Sequence, residues 1–230
     1  FENMPLGAHC KGGALDITYE RNTFKNITSG WGFEIGGDTG AQFFCSGETW
    51  EAKDIHFYSN VFINCYNGLD FFSSVNSDVR NNTFYNSTSK TLRGLCCSSV
   101  YPTISGNVVE NNIFAFGTTA YMNASVLNPG SVSFNKNIYF SISNTSFTGP
   151  YWDPEWGTNV ESSPMIYSST SPMFVDGASG DFHLSAGSPA IATGQVATDP
   201  VYDYYGNPYA YQRSIGASEY NDATTLNEII

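Results

Sequence analysis

A twelve-residue phrase recurs along this chain and constrains its fold more than any other feature. At residues 53–64 it reads KDIHFYSNVFIN. Ile55 and Phe57 alternate with His56 and Tyr58, an Asn follows at position 60, and the apolar pattern resumes at Phe62. Variants are LDITYERNTFKN at 15–26, SDVRNNTFYN at 77–86, NVVENNIFAF at 107–116 and VSFNKNIYF at 132–140. Aligned on Asn22, Asn60, Asn82, Asn112 and Asn137, the copies share two more columns. Tyr19, Phe57, Val79, Val109 and Phe134 stand three residues before the Asn, and Phe24, Phe62, Phe84, Phe114 and Tyr139 two after it. Period-two apolar residues make strands with one buried face, which a single copy cannot bury alone. Copies spaced by 38, 22, 30 and 25 residues bury it by stacking as a solenoid of short parallel strands. Asn suits the bend because it tolerates unusual backbone angles, and its amide can bond the Asn of the next coil to build a ladder.

The 38-residue spacing holds an insertion, DTGAQFFCSGETWEA, between GWGFEIGG and the best copy of the repeat. After Tyr139 the repeat fades into a Pro-, Trp- and Ser-rich stretch at 146–168, which reads as a long loop or partial coil. One domain is expected over 1–220, with 221–230 a tail and no second domain. The chain enters a repeat almost at once, so further N-terminal coils, a cap or a partner are expected to cover that open end.

Composition narrows the partners. The formal net charge is −12 with a pI near 4.4, which argues against nucleic acid, whose phosphates need Lys and Arg. No apolar run is long enough to span a membrane as a helix. Cys10, Cys45, Cys65, Cys96 and Cys97 have neither CxxC nor zinc-like spacing. They suit one or two disulfides in an oxidising compartment, or small inward positions of the core. Asn-linked glycosylation sequons are read at Asn26, Asn82, Asn86, Asn123 and Asn144, a number that this Asn-, Ser- and Thr-rich composition gives by chance, so they permit glycosylation without indicating it.

The phrase SPMFVDGASGDFHLSAGSPAI at 171–191, followed by SIGASEY at 214–220, resembles the closing coil of secreted right-handed parallel β-helix proteins of the pectin-lyase-like type. HCKGGALDITYERNTF, GGDTG with Phe43 and Phe44, EAKDIHFYSNVFIN and VRNNTFYN are similar to a subgroup with polysaccharide-processing relatives. The resemblance covers about residues 7–220. It implies an all-β, right-handed parallel β-helix of about six to eight coils, secreted or at the cell surface. It says less about chemistry, because one fold hosts many functions.

Candidate chemistry lies on a second strand, repeated as GFEIG, GLDFF and TLRGL. Alternation turns Phe33, Ile35, Leu69, Phe71 and Leu92 inward. Glu34, Asp70 and Arg93 then share an outer face in successive coils, with His9 and Lys11 one coil earlier. This column suits an acidic polysaccharide. Elimination next to a uronate carboxylate needs a base and a neutralising cation; Lys11 or His9 supplies the base and Arg93 the cation. Glu34 and Asp70 are expected to contact substrate, and Glu34, Asp38 and Asp70 to hold a calcium ion through carboxylate oxygens. Adjacent Glu34 and Asp70 also have the spacing of a retaining glycosidase pair. Tyr151, Trp152 and Trp156 could stack on sugar rings or fold back onto the solenoid. Two readings of the column compete with catalysis: sugar binding alone, and a plain ladder of opposite charges. A third concerns the whole molecule, namely a structural subunit of an extracellular filament, in which open β-helix ends stack end to end as a homo-oligomer.

Overall fold

The computed structural model describes residues 1–43, 47–95, 104–125, 131–156 and 161–221. The chain climbs through coils that each visit three sheets. The first coil is β1 (Glu2–Met4), β2 (Ala8–Cys10) and β3 (Ala14–Glu20); the second is β4 (Thr23–Ile27), β5 (Trp31–Gly36) and β6 (Ala52–Tyr58). The third is β7 (Val61–Ile63) and β8 (Asn67–Phe72), then the short β9 (Ser74–Val75) and β10 (Asp78–Arg80). The fourth is β11 (Thr83–Tyr85), β12 (Lys90–Leu95) and β13 (Asn107–Glu110); the fifth is β14 (Ile113–Phe116), β15 (Tyr121–Ser125) and β16 (Val132–Asn135). β17 (Ile138–Ser141), β18 (Tyr151–Trp152) and β19 (Met165–Tyr167) end the climb. Sheet I runs β1-β4-β7-β11-β14-β17-β19, sheet II β2-β5-β8-β12-β15-β18, and sheet III β3-β6-β10-β13-β16, with β9 beside β6. Every pairing in these sheets is parallel. The expected parallel β-helix is therefore the fold, with seven strands in its longest sheet.

The aligned columns are the register. Phe24, Phe62, Phe84, Phe114 and Tyr139 oppose one another across sheet I. They form a stack with centroids 4.8, 4.5, 5.0 and 5.6 Å apart and near-parallel planes. Tyr19, Phe57, Val79, Val109 and Phe134 align likewise in sheet III. Strand spacing matches the separation at which offset aromatic stacks are favourable, so one contact repeats from coil to coil.

The Asn ladder has a direction. The backbone N–H and Nδ2 of Asn22 both donate to Oδ1 of Asn60, and the same two bonds link Asn60 to Asn82, Asn82 to Asn112 and Asn112 to Asn137. Asn137 then donates to Glu161, 2.9 Å from its backbone N. A carboxylate accepts without donating, so it terminates a ladder whose every rung sends its donors the same way. Positive φ belongs to the residue before each ladder Asn: Arg21, Ser59, Asn81, Asn111 and Lys136, at 51° to 57°. The ladder Asn is thus selected for its amide, and the backbone strain sits one residue earlier.

The C-terminal phrase does not close a coil. β20 (Phe174–Asp176) and β21 (Asp181–Leu184) form an antiparallel hairpin, and the chain to Tyr220 runs as a strap along the outer face of sheet I. Ile113, Ile138 and Phe140 pack there with Met173, Leu184 and Ile215, while Val61 packs with Phe182 and Ala217. Polar ties hold the strap: Asn81 Nδ2 donates to the carbonyls of Ser214 and Gly216, and buried Arg213 donates to Asn81 Oδ1 and to the Pro200 and Ala197 carbonyls. Sheet I is therefore covered on its outside from β7 to β17, and sheets II and III present the remaining outer faces. Residues 222–230, most of the expected tail, lie outside the described residues.

Candidate functional site

The outward residues of sheet II form one column. His9 pairs with Glu34, Glu34 with Asp70, Asp70 with Arg93 and Arg93 with Asn123. The sequence-predicted residues are therefore neighbours, but two of them are not exposed: Glu34 retains 5% of its accessible surface and Asp70 none. Alternation turned them away from the core, and local packing then covered them. At Gly36, φ is 97° and a Cβ would lie 1.6 Å from the Phe72 carbonyl; at Gly37 it would lie 2.6 Å from Lys11 Cδ. These two glycines let the chain pass close and let the Lys11 stem lie beside Glu34. Fully buried Glu51 ties the surrounding loops together by accepting from Gly12 N at 3.0 Å and Thr39 N at 2.7 Å.

Burial sets the electrostatics. Asp70 Oδ2 accepts from Arg93 Nε at 2.9 Å and makes a close contact with Nη2, while Asp70 Oδ1 is buried without a partner. Desolvation outweighs the guanidinium, and Asp70 is raised from 3.8 to about 6. Among the described residues Glu34 has no hydrogen-bond partner. Burial first, and then the charge of Asp70, raise it from 4.5 to about 8 against the opposing pull of Arg93 and Lys11. At neutral pH the column therefore holds a protonated Glu34 beside an ionised Asp70. His9 is lowered by burial and then by Lys11, which leaves an exposed, neutral imidazole at one end.

This arrangement revises several expectations. His9 and Arg93 are three strands apart, roughly 14 Å at the interstrand spacing, so they cannot serve the same sugar; Lys11 is the cation nearest His9. A retaining pair needs a solvent-reaching nucleophile, and fully buried Asp70 is not one. The calcium expectation does not fit either: calcium takes 6–8 oxygens, whereas Asp70 is bound to Arg93 and Asp38 stands exposed on its loop. Among the described residues no group of three His, Cys, Asp or Glu side chains is placed to hold a metal. Trp156 is buried, donates Nε1–H to the Met122 carbonyl and meets Phe134 edge-on; Trp152 packs on Phe134 and Tyr139. Both indoles close the core, and Tyr151 alone of the three aromatics stands exposed.

Asn82 cannot carry a glycan. It is a fully buried ladder rung, and its own triplet lacks the required hydroxyl; the acceptor triplet there belongs to Asn81, which is also buried. Asn26 and Asn86 belong to an outer ladder in which Asn86 donates to Asn64, Asn64 to Asn26 and Asn26 to Asn3. Asn123 donates to Asp153. Asn144 is exposed on a turn, where its Oδ1 accepts from Ser146 N. Cys10 and Cys65 are buried free thiols, pushed up to about 11 and 12 by burial. Cys45, Cys96 and Cys97 lie outside the described residues.

Sequence reading treated residues 53–64 as scaffold and missed what their outer side carries. Thr18, His56 and Asp78 form a second outward column, on sheet III. The signal was available: the register that aligns Tyr19, Phe57 and Val79 also aligns the residues just before them.

Among the described residues no helix is long and apolar enough to cross a membrane. No family model matches the chain, and no curated protein matches it in sequence.

Proposed function

We propose that the outer face of sheet II binds an acidic polysaccharide along the coil stack, and that the His9–Lys11 end performs β-elimination on it. The observation that carries this reading is Glu34. In a chain of net charge −12, its carboxyl is held protonated to about pH 8 with Lys11 on one side and the Arg93 ion pair on the other. A neutral acid beneath the surface leaves the Lys11 and Arg93 cations free to meet a uronate carboxylate, where an ionised one would repel it. Arg93, whose Nε and Nη2 face Asp70, keeps Nη1 for the carboxylate of a sugar further along.

In the reaction, neutral His9 takes the proton from the carbon next to the carboxylate. Its electron pair forms the new double bond as the glycosidic carbon–oxygen bond breaks, and the departing oxygen takes a proton from water. Lys11 stabilises the charge that builds on the carboxylate, and buried Glu34, being neutral, does not oppose it. Incubation with polygalacturonate, following the ultraviolet absorbance of the unsaturated product, tests this. Product formation lost in His9→Asn, with binding retained, supports it; failure of the wild type to bind any uronate polymer overturns it.

The filament reading has the ladder against it. Its last rung, Asn137, is closed by Glu161, an acceptor already engaged by Asn137 and Tyr139. Two copies placed end to end would not continue the ladder.

A further inference from the structure

A cleft of about 450 Å³ lies on the outer face of sheet III, on the side of the molecule away from the column of sheet II. Thr18, Glu20, His56 and Tyr58 form its floor, and the strap residues Asp199, Pro200, Val201 and Tyr202 its wall. The wall is fixed, because Arg213 donates to the Pro200 and Ala197 carbonyls and Ser59 donates to the Tyr202 carbonyl.

The floor is ordered by a hydrogen-bond network. His56 Nδ1 lies 2.5 Å from Asp78 Oδ1, and the Tyr58 hydroxyl donates to Asp78 Oδ2 at 2.7 Å. Arg80 lies 3.2 Å from the same carboxylate and 3.5 Å from Glu110. A carboxylate at Nδ1 selects the tautomer with its proton there, in which Nε2 is the acceptor. His56 retains a third of its side-chain surface, and among the described residues Nε2 has no partner.

The groups facing the cleft are mostly acceptors: His56 Nε2, the Glu20 and Asp199 carboxylates and the Thr18 hydroxyl. Their charge is already answered. Arg21 contacts Glu20 at 3.3 Å, Arg80 contacts Asp78, and Arg213 lies close enough to Asp199 to be influenced by it. Acceptors with local charge balance suit a neutral ligand rich in hydroxyl donors more than a cation. Carboxylates accept readily from paired hydroxyls, and the half-exposed Tyr202 ring offers an apolar surface for the carbon face of a sugar. We infer that this cleft is a binding site for a neutral saccharide, with His56 held by Asp78 as a fixed acceptor. It is independent of the acidic-polymer face on sheet II.

The test is nuclear magnetic resonance of the full chain with labelled histidine, titrated separately with xylohexaose, cellohexaose, maltohexaose and, as the cationic alternative, spermidine. The three histidines, His9, His56 and His183, report on separate places. The inference predicts saturable shifts at His56 with a neutral oligosaccharide while His9 and His183 stay unmoved. Affinity should weaken ~10-fold in Glu20→Gln, an exposed position whose change spares the fold, and stay unchanged in Glu155→Gln, an exposed position just after the last strand of sheet II. No response at His56 to any oligosaccharide, a response to spermidine alone, or binding that survives both Glu20→Gln and His56→Ala would overturn it.

Discussion

Replacing Glu34 with Gln removes a titration while keeping the shape and neutrality the residue has when protonated. The native carboxyl is raised from 4.5 to about 8 by burial and by Asp70. A raised carboxyl favours the folded state fully below pH 4.5, and that contribution is lost as pH climbs through about 8. At 1.4 kcal/mol per unit of displacement the ceiling is ~5 kcal/mol; relaxation and water access reduce this to a few. Urea unfolding of both proteins at a series of pH values measures the difference directly. The two should be nearly equal at pH 4, and Gln should become progressively more stable between pH 4.5 and 8, with a plateau beyond. Asp70 titrates in both proteins, so the difference isolates Glu34. A difference constant across this window, or a wild type that gains on Gln as pH rises, would refute the claim that Glu34 is buried as a neutral acid.

Other consequences follow from the same structure. Arg93→Met leaves fully buried Asp70 without its cation and should cost ~3–5 kcal/mol in urea unfolding, much of it restored in the Asp70→Asn/Arg93→Met double variant. Asn82→Ala removes donors to Phe57, Arg80 and Asn112 and the acceptor for Asn60; it should cost ~3 kcal/mol or more, whereas Asn26→Ala in the outer ladder should cost ~1 kcal/mol or less. Phe84→Ala opens the middle of the aromatic stack and should lower stability by ~3–5 kcal/mol, read from the same denaturation curves. If the chain is glycosylated when secreted from a eukaryotic host, mass spectrometry should find the glycan at Asn144 and none at Asn81 or Asn82.

The coil register was legible in the sequence because it is a local, repeating fact. Each aromatic column and each ladder Asn sits at a fixed offset, so aligning the copies gave the strand pairing without any tertiary information. The outer faces were not legible in the same way. Alternation correctly turned Glu34 and Asp70 away from the core, yet whether an outward residue is wet depends on loops such as the one pinned by Glu51. The strap was missed for a related reason, although it left a trace. β14 reads IFAF and β17 reads IYFS, buried at every position. A strand that loses its alternation is covered on both faces, and the partner of Ile113 and Ile138 had to come from elsewhere in the chain. His56 and Asp78 stand 22 residues apart, one coil in this helix, and that spacing brings them into contact.

The central claim is that sheet II binds an acidic polymer along the column from Lys11 to Arg93. A crystal structure of the protein with an oligogalacturonate tests it most directly. The account predicts a sugar chain lying across β2, β5, β8 and β12, with one carboxylate at Lys11 and another at Arg93. An oligogalacturonate bound elsewhere, or a column left bare at saturating ligand, would contradict it.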